Sequence, residues 1–171
     1  MEITKIPNKI LAKNMEKVAV DDIKKGLYKD LVSDMKKAMI ENNGVGLAAN
    51  QVGKDLSVFV VDQKLAKENS VPDVFINPEI TEYSKEASET EEGCLSMPGY
   101  WVPIKRSRKI RIKAVGENGN KIKFKARGFL ARVLQHETDH LNGITIRDRN
   151  TLNAKFNLRP ELRPRENQNA K

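Results

Sequence analysis

The chain has 171 residues, including one cysteine and two histidines, and its 31 lysines and arginines against 23 acidic residues give a formal net charge of +8. A chain of this length is expected to form one domain whose core needs no covalent staples. A single cysteine excludes an intramolecular disulfide and a tetracysteine zinc site, and it favours a reducing compartment. Any metal site must therefore draw on Cys94, His136, His140 and carboxylates.

The charge balance and the hydropathy pattern limit the classes of partner. A charge of +8 is compatible with a nucleic-acid partner, but a content of 32% charged residues of both signs also describes an ordinary solvated surface. Aromatic residues make up only 5%, too few for a platform on which single-stranded nucleic acid stacks. No apolar signal-peptide region and no apolar run of the ~20 residues needed to span a bilayer is found. The sequence predicts a soluble protein without a membrane partner.

The first predicted element is an amphipathic helix near the N-terminus. Residues 21–42 repeat an apolar side chain every four positions, which predicts one continuous helix that packs one face on a core. Asp21 or Asp22 is expected to cap its start, and Gly44 is expected to end it. A segment of small residues, 44–53, follows.

The second half of the chain predicts strands and then a helix. Strands are expected at four short apolar or alternating runs: 56–61, 74–80, 109–115 and 121–127. Asn118-Gly119 predicts a type I′ hairpin turn between the last two, whereas the polar stretch 81–92 has no readable pattern. Helical spacing returns at 128–142, with Gly143 as a stop signal. This order predicts an α+β fold in which antiparallel or mixed sheets pack around the last helix.

Both histidines of the chain fall on this last helix, in the motif Gln135-His136-Glu137-Thr138-Asp139-His140. Four helical residues turn the chain by ~400° and leave the two imidazoles ~40° apart and ~6 Å along the axis. This spacing is typical of two nitrogens that bind one metal ion. Glu137 lies ~100° further round the helix, where it can act as a general base on a metal-bound water.

A catalytic metal site also needs a third protein ligand. A ligand downstream of His140 would indicate a zincin-type metalloprotease, but Glu161 and Glu166 lie in a proline-containing segment that cannot form a supporting helix, and Asp148 lies in a charged stretch. Upstream, Cys94 lies in a turn-rich segment. A lone cysteine is usually a small buried hydrophobe, yet beside two histidines that lack a partner it is the better candidate. One thiolate with two imidazoles suits zinc, iron(II), cobalt or nickel, and the sequence does not choose among them.

Three segments taken together resemble the peptide deformylase family. They are residues 44–51 (GVGLAANQ), 92–96 (EGCLS) and 135–143 (QHETDHLNG), and they contain every histidine and cysteine of the chain. Their order and approximate spacing agree with the family over about residues 3–148. The resemblance implies a hydrolase that removes the formyl group from N-formylmethionine at the start of nascent polypeptides. It also implies Cys94, His136 and His140 as ligands of one divalent metal ion, often iron(II) in cells, with zinc, nickel or cobalt as substitutes.

The resemblance also implies the catalytic roles of the other motif residues. Metal-bound hydroxide would attack the formyl carbon, with Glu137 as general base and then as the acid that protonates the departing amine. Gln51 and the backbone N–H of Leu95 would donate to the developing oxyanion, a contribution of roughly 3–4 kcal/mol for one such donor. By itself, Gln51 is equally explained as an ordinary loop amide. Gly46 would pair its backbone with the substrate as an added strand.

A pocket for the methionine side chain is implied around the same motifs. The family's pocket corresponds to Val45, Phe129 and Val133 here, with Glu92 and Arg132 near its rim. Phe129 and Val133 are four residues apart and so share one helix face, which core packing explains equally well. Arg132 departs from the apolar residue usual in the family, and this predicts an altered pocket entrance or substrate preference.

The remaining expectations concern organisation and partners. Residues 1–150 are expected to form a single catalytic metallohydrolase domain, and residues 151–171 a basic, proline-containing and flexible extension. Formylated nascent peptides are the expected partner, with a transient ribosome contact through the basic surface. Bacterial cytoplasm is the expected location, and an organelle is the alternative. A basic nucleic-acid-binding or ribosome-binding module without activity is the competing hypothesis from another class.

Overall fold

A computed structural model of the protein describes residues 1–151, so the predicted extension lies outside the described residues except for its first position. The helices are α1 (Val20–Lys24), α2 (Lys29–Glu41), α3 (Gln63–Glu68) and α4 (Gly128–Leu141). The strands are β1 (Gly46–Ala48), β2 (Val58–Val61), β3 (Val74–Tyr83), β4 (Ala87–Cys94), β5 (Met97–Ser107), β6 (Lys109–Val115) and β7 (Lys121–Arg127). Short 3₁₀ turns cover Lys9–Ala12 and Ala49–Val52.

The strands form two antiparallel sheets. The larger sheet has the order β1-β2-β3-β6-β7, and β4 pairs with β5 in a separate two-stranded sheet. Helix α4 contacts strands of both sheets and buries its apolar face in the same cluster as Phe59 and Phe75. The predicted α+β class with antiparallel sheets is confirmed, and the histidine-bearing helix packs against both sheets. No helix in residues 1–151 is long and apolar enough to cross a membrane.

The predicted helix over 21–42 is wrong as a single element. It is divided into α1 and α2 at Gly26, whose φ of +75° is left-handed. Glycine adopts this conformation without steric cost and commonly ends a helix in this way, whereas glycine inside a helix costs about 1 kcal/mol. Leu27, which the four-residue repeat assigned to the buried face, is consequently 64% exposed.

The predicted ends of this helical region are also wrong. Asp21 and Asp22 lie within the first turn of α1, whose N-cap is Ala19 without a side-chain cap. Acidic residues in a first turn still interact favourably with the positive end of the helix dipole. At the other end α2 stops at Glu41, and Asn43, with φ of 55°, takes the left-handed position that was expected at Gly44.

The hairpin of β6 and β7 is confirmed, but its turn differs from the prediction. A type I′ turn needs positive φ at both Asn118 and Gly119, and only Gly119, at +79°, has it. The N–H of Gly119 donates to Gly116 O at 2.9 Å, and the N–H of Gly116 donates to Asn120 O at 2.8 Å. This is a three-residue loop in which a type I turn is followed by a left-handed glycine.

The sequence did not predict β4 and β5. Residues 87–91 of β4 are exposed in succession, so this strand shows no alternation of apolar and polar residues. In β5 the inward positions are Val102, Ile104 and Arg106, and the charge at the third position hides the period-two pattern. These two strands bring Cys94 to α4.

Candidate metal centre and active site

Cys94, His136 and His140 converge at one point between the small sheet and α4. Their donor atoms all lie within 4.8 Å of one another. Cys94 Sγ is 3.1 Å from His140 Nε2, which is 3.2 Å from His136 Nε2. Two imidazoles one helical turn apart come from α4, and the thiol comes from the last residue of β4. The structure thus brings together the three residues that the sequence selected.

Glu92 determines how the His136 ring is oriented. His136 Nδ1 lies 3.0 Å from Glu92 Oε2. Burial raises the pKa of Glu92, but the hydrogen bonds from His136 and Arg106 outweigh it and hold that pKa well below its usual range. An ionised carboxylate only accepts hydrogen bonds, so the ring must carry a proton on Nδ1. The other ring nitrogen, Nε2, lies on the side of Cys94 and His140 and would face a metal ion bound there.

The donor set at this point fits a divalent metal ion. Burial raises the pKa of Cys94, but the charge of His140 and the hydrogen bonds of both histidines outweigh it and lower that pKa, which favours the thiolate. Cys94 Sγ and the Nε2 atoms of both histidines lie close enough together for one ion placed among them to contact all three. One soft ligand and two imidazoles in such a cluster are typical of zinc, iron(II), cobalt or nickel.

Two buried amide side chains, those of Asn50 and Gln51, contact the residues of this cluster or their neighbours. Asn50 is fully buried, and its Nδ2 donates to the carbonyl of His140 at 2.6 Å. The amide of Gln51 donates from Nε2 to Ser96 Oγ at 3.2 Å and to Cys94 Sγ at 3.5 Å, while its Oε1 accepts from the Ala48 N–H at 2.9 Å. Gln51 is therefore fixed with its N–H groups directed at the cluster.

Glu137 is a buried carboxylate adjacent to the cluster. It is 3% exposed, and its Oε2 has no hydrogen-bond partner among the described residues. Burial raises its pKa from the usual value. Gly46 packs directly against it, because a Cβ built on Gly46 would lie 2.7 Å from the carboxyl carbon of Glu137. An unpaired carboxylate oxygen of this kind is costly unless another molecule contacts it.

Leu95, the other predicted oxyanion donor, lies in the two-residue turn that joins β4 to β5. Its carbonyl accepts from Lys5 Nζ at 2.7 Å, and the carbonyl of Ser96 accepts from the N–H of Ile6 at 3.1 Å. These two bonds attach the turn to the N-terminal segment. The turn places Leu95 next to Cys94 in the chain and in space.

The residues predicted for the methionine pocket fall into three groups: exposed apolar side chains, a side chain buried in the core, and a bonded pair of charged side chains. Val45 and Phe129 expose 45% and 57% of their surface, which is unusual for apolar residues. Val133 is 4% exposed and belongs to the main core cluster, in agreement with the core-packing alternative. Glu92 contacts His136, and the Arg132 side chain donates to Glu92 Oε1 at 2.6 Å.

Sequence reasoning missed the charged residues that support the cluster. Arg106 is 5% exposed and donates to both oxygens of Glu92, at 2.6 and 2.9 Å, and to Asp139 at 2.8 Å. Arg149 also donates to Asp139. Recognising β5 as a strand would have identified Arg106 as an arginine at an inward position, which needs a buried partner.

Comparison with known proteins agrees with this geometry. A family model described as polypeptide deformylase matches residues 1–155. The chain belongs to the polypeptide deformylase family. It is a metal-dependent hydrolase that removes the formyl group from the N-terminus of nascent polypeptides. The family resemblance predicted from the three motifs is confirmed, and so is the enzymatic activity that it implied.

Named relatives and solved structures show how far the similarity extends. Peptide deformylase 1 of Clostridium perfringens is 54% identical over 129 residues, which cover 75% of this chain and 84% of that protein. The peptide deformylase of Dictyoglomus turgidum is 51% identical over 149 residues, covering 87% and 92%. The crystal structure of peptide deformylase from Thermotoga maritima matches with a TM-score of 0.78 and 38% identity, covering 86% of this chain and 95% of that one.

A further solved structure contains a bound peptide. It is the Met-Ala-Ser-bound class I type b peptide deformylase from Acinetobacter baumannii, with a TM-score of 0.78 and 32% identity, covering 87% of this chain and 97% of that chain. The organisms named for these relatives are bacteria.

Proposed function

We propose that Cys94, His136 and His140 hold the metal ion of this deformylase and that Glu137 is its general base and acid. The observation that carries the proposal is the convergence of three ligand atoms within 4.8 Å beside a buried carboxylate with an unpartnered oxygen. Iron(II) is the proposed ion in cells, with zinc, nickel or cobalt as substitutes, because all four suit one thiolate and two imidazoles. When bound, such an ion acts as a Lewis acid and lowers the pKa of a coordinated water.

The chain's own residues supply the remaining chemistry. Glu137 accepts a proton from the attacking water as the bond to the formyl carbon forms, and it delivers that proton to the amine nitrogen as the C–N bond breaks. Formate and a free N-terminus are the products. The Gln51 amide and the Leu95 backbone N–H donate to the oxygen on which negative charge develops. Gln51 is suited to this because its Oε1 is already bonded to Ala48 N–H, which fixes the direction of its Nε2.

The substrate is proposed to be N-formylmethionyl peptide bound along β1. The Gly46 backbone would pair with the peptide as an added strand. Val45, Phe129 and Val133 would surround the methionine side chain, with Glu92 and Arg132 at the rim. Support comes from the exposed apolar surface of Val45 and Phe129 and from the Met-Ala-Ser bound by the Acinetobacter baumannii relative.

The finer proposals on partner and location rest on the charge distribution. β7 presents four exposed cations that have no acidic partner within 4.0 Å in the described part of the chain: Lys121, Lys123, Lys125 and Arg127. Three of them lie directly opposite cations of β6, an arrangement that destabilises a sheet. The nearby acidic residues pair with the cations of β6 instead: Glu86 with Lys109, Glu82 with Arg111 and Glu79 with Lys113. We propose that this row, the β7 cation row, makes a transient contact with ribosomal RNA in bacterial cytoplasm.

The organisation proposed for the chain follows the predicted boundaries. Residues 1–150 form one catalytic domain, and 151–171 are a basic extension. Support comes from α4, which packs against both sheets and ties the N-terminal segment to itself through the bond from Met15 N–H to Leu141 O at 2.8 Å.

The test of the catalytic proposal compares wild-type protein with E137A and E137Q after anaerobic purification. Both variants should retain one metal ion per chain and lose 10²–10⁴-fold in turnover of formyl-Met-Ala-Ser, the usual contribution of a general base. Unformylated Met-Ala-Ser is the substrate control. Wild-type turnover in E137Q would contradict the role of Glu137. Cleavage of an internal peptide bond, with metal content unchanged in C94S, would favour the metalloprotease alternative.

A further inference from the structure

Arg132 is a largely buried arginine that lies on α4 one turn before His136. Its side chain is 11% exposed, and its hydrogen bonds all go to the small sheet. One terminal nitrogen donates to Glu92 Oε1 at 2.6 Å and to the Ile104 carbonyl at 2.9 Å. The other donates to the Ser88 carbonyl at 2.8 Å and to Ser88 Oγ at 3.2 Å. Both terminal nitrogens are thus bonded to groups of the small sheet, one of them to the exposed residue Ser88.

Glu92, the main partner of Arg132, is fully saturated with donors. A carboxylate has about four lone-pair sites. Oε1 accepts from Arg132 and from Arg106, each at 2.6 Å. Oε2 accepts from the other Arg106 nitrogen at 2.9 Å and from His136 Nδ1 at 3.0 Å. Two arginines therefore determine the plane of the carboxylate, and the carboxylate determines the plane of the His136 ring.

The contacts to backbone carbonyls add a second constraint. The small sheet is not hydrogen-bonded to the five-stranded sheet, yet it carries Cys94, whereas His136 and His140 belong to α4. Arg132 joins α4 to the backbone of β4 at Ser88 and to the backbone of β5 at Ile104. Together with the bonds of Arg106 to Asp139 and of Gln135 to Ser107, it therefore helps to fix the distance between the element that carries the thiol and the element that carries the imidazoles.

We propose that Arg132 is a positioning residue of the metal centre: it locks Glu92, and with it the ring of His136, and it holds the small sheet against α4. The inference rests on the proposed function, in which His136 and Cys94 bind the metal ion. Arg132 keeps the place near the pocket rim proposed above, but its polar atoms act on the ligands and not on the peptide. Its action on substrate is indirect, through the ligands.

The principal experiment compares wild-type protein with R132M, each loaded with cobalt(II). Methionine retains an apolar stem of similar length but has no donors. R132M should release cobalt to excess chelator about 10–100-fold faster, the usual range for loss of a residue that supports a ligand. Its cobalt absorption bands should shift, and kcat for formyl-Met-Ala-Ser should fall with KM changed less than about 2-fold. A higher KM with unchanged cobalt release and an unchanged spectrum would overturn the proposal and show that Arg132 acts on the peptide at the pocket rim.

A double-mutant cycle tests whether Arg132 acts through Glu92. E92Q and R132M should each speed cobalt release, and E92Q/R132M should be no faster than the faster single variant, because both changes break one network. Multiplicative effects would show that Arg132 acts independently of Glu92 and would overturn the proposal. R132K retains the charge without the planar fork, so its release rate should fall between those of wild type and R132M.

The controls separate this inference from the proposed metal site. R147M makes the same exchange at an exposed arginine and should match wild type in cobalt release and kcat. If R132M does not fold, as judged by circular dichroism, the cycle is carried out with R132K, and multiplicative effects there overturn the proposal equally. If wild type releases cobalt as fast as H136A, the metal site itself is wrong and the role of Arg132 falls with it. If wild type retains cobalt and R132M releases it at the same rate as wild type, this inference is contradicted and the proposed metal site is not.

Discussion

The contact between Gly46 and Glu137 shows how single residues determine this site. Glu137 is fully surrounded yet leaves one oxygen unpartnered in the described structure, and Gly46 permits this because it has no side chain at the point of contact. Cys94, His136, His140 and Glu137 could be selected from the sequence, because so few residues of the chain can bind a metal and the helical spacing is specific. The requirement for a glycine at position 46 could not be derived, since it depends on a contact between β1 and α4.

Gly46→Ala is predicted to displace the Glu137 carboxyl and to lower kcat for formyl-Met-Ala-Ser by roughly 10²-fold or more, a loss in the range of general-base removal. The added methyl would lie 2.7 Å from the Glu137 carboxyl carbon, closer than packed atoms tolerate. Metal content should stay at the wild-type value because no ligand is touched. Steady-state kinetics with metal analysis is the measurement.

Gly116→Ala is the matched control for this prediction. There the new methyl meets the flexible end of Ile122 at 3.1 Å, far along the chain from the cluster. Its kcat should equal that of wild type. Equal kcat in G46A and wild type would show that the Gly46 contact has no part in holding Glu137.

At the scale of elements, hydrophobic periodicity predicted the helix and strands that have an apolar face on the core. It did not predict the strands whose residues are exposed in succession or whose inward positions include a charge. Helix α4 was predicted within one residue at its end, because its apolar face and flanking glycines agree. The division between α1 and α2 was not predicted, because the four-residue apolar repeat continues across Gly26 although the backbone turns there. β4 was not predicted because its exposed residues have no apolar face, and Arg106 of β5 was missed with it.

Leu134→Ala is predicted to lower the free energy of unfolding by about 2–5 kcal/mol, since Leu134 is fully buried in the cluster that holds α4 against the sheet. Urea denaturation followed by circular dichroism measures this. Leu27→Ala is the control with the same chemical change at a site that is 64% exposed, where the effect should stay within about 0.5 kcal/mol. Equal destabilisation by the two variants would contradict the burial of Leu134 in α4 and the exposure of Leu27 between α1 and α2.

At the scale of the whole molecule, a chain of ion pairs and hydrogen bonds links Arg149, near the end of the described residues, to the candidate metal centre. It runs from Arg149 through Asp139, Arg106 and Glu92 to His136, with successive contacts at 2.9, 2.8, 2.6 and 3.0 Å. Each member except the histidine is a charged residue that composition alone counts as surface. A large share of charged residues therefore says little about where charge lies, and the network could not be read from the sequence because its members come from distant positions.

The net charge of +8 is explained either by an ordinary solvated surface or by contact with RNA, and variants of the β7 cation row distinguish the two explanations. The triple variant K121Q/K123Q/K125Q should bind bacterial ribosomes more weakly in sedimentation assays, and its log–log salt dependence should be shallower by about one unit per lost phosphate contact. Deformylation of formyl-Met-Ala-Ser should be unaffected.

The control for this prediction removes three exposed lysines elsewhere, in K54Q/K64Q/K67Q, with the same change of net charge. Charged edge strands also deter pairing with other sheets. If both triple variants bind ribosomes as wild type does, the row serves only that purpose or solubility. If both lose binding equally, net charge and not the row determines the contact.

The central claim is that one ion is held by Cys94, His136 and His140. Anomalous diffraction at a metal absorption edge, from crystals of anaerobically purified full-length protein, tests it most directly. We expect a single strong peak within bonding distance of Cys94 Sγ, His136 Nε2 and His140 Nε2, and its loss in H136A. A peak bound elsewhere, or one whose ligands do not include Cys94, would contradict it.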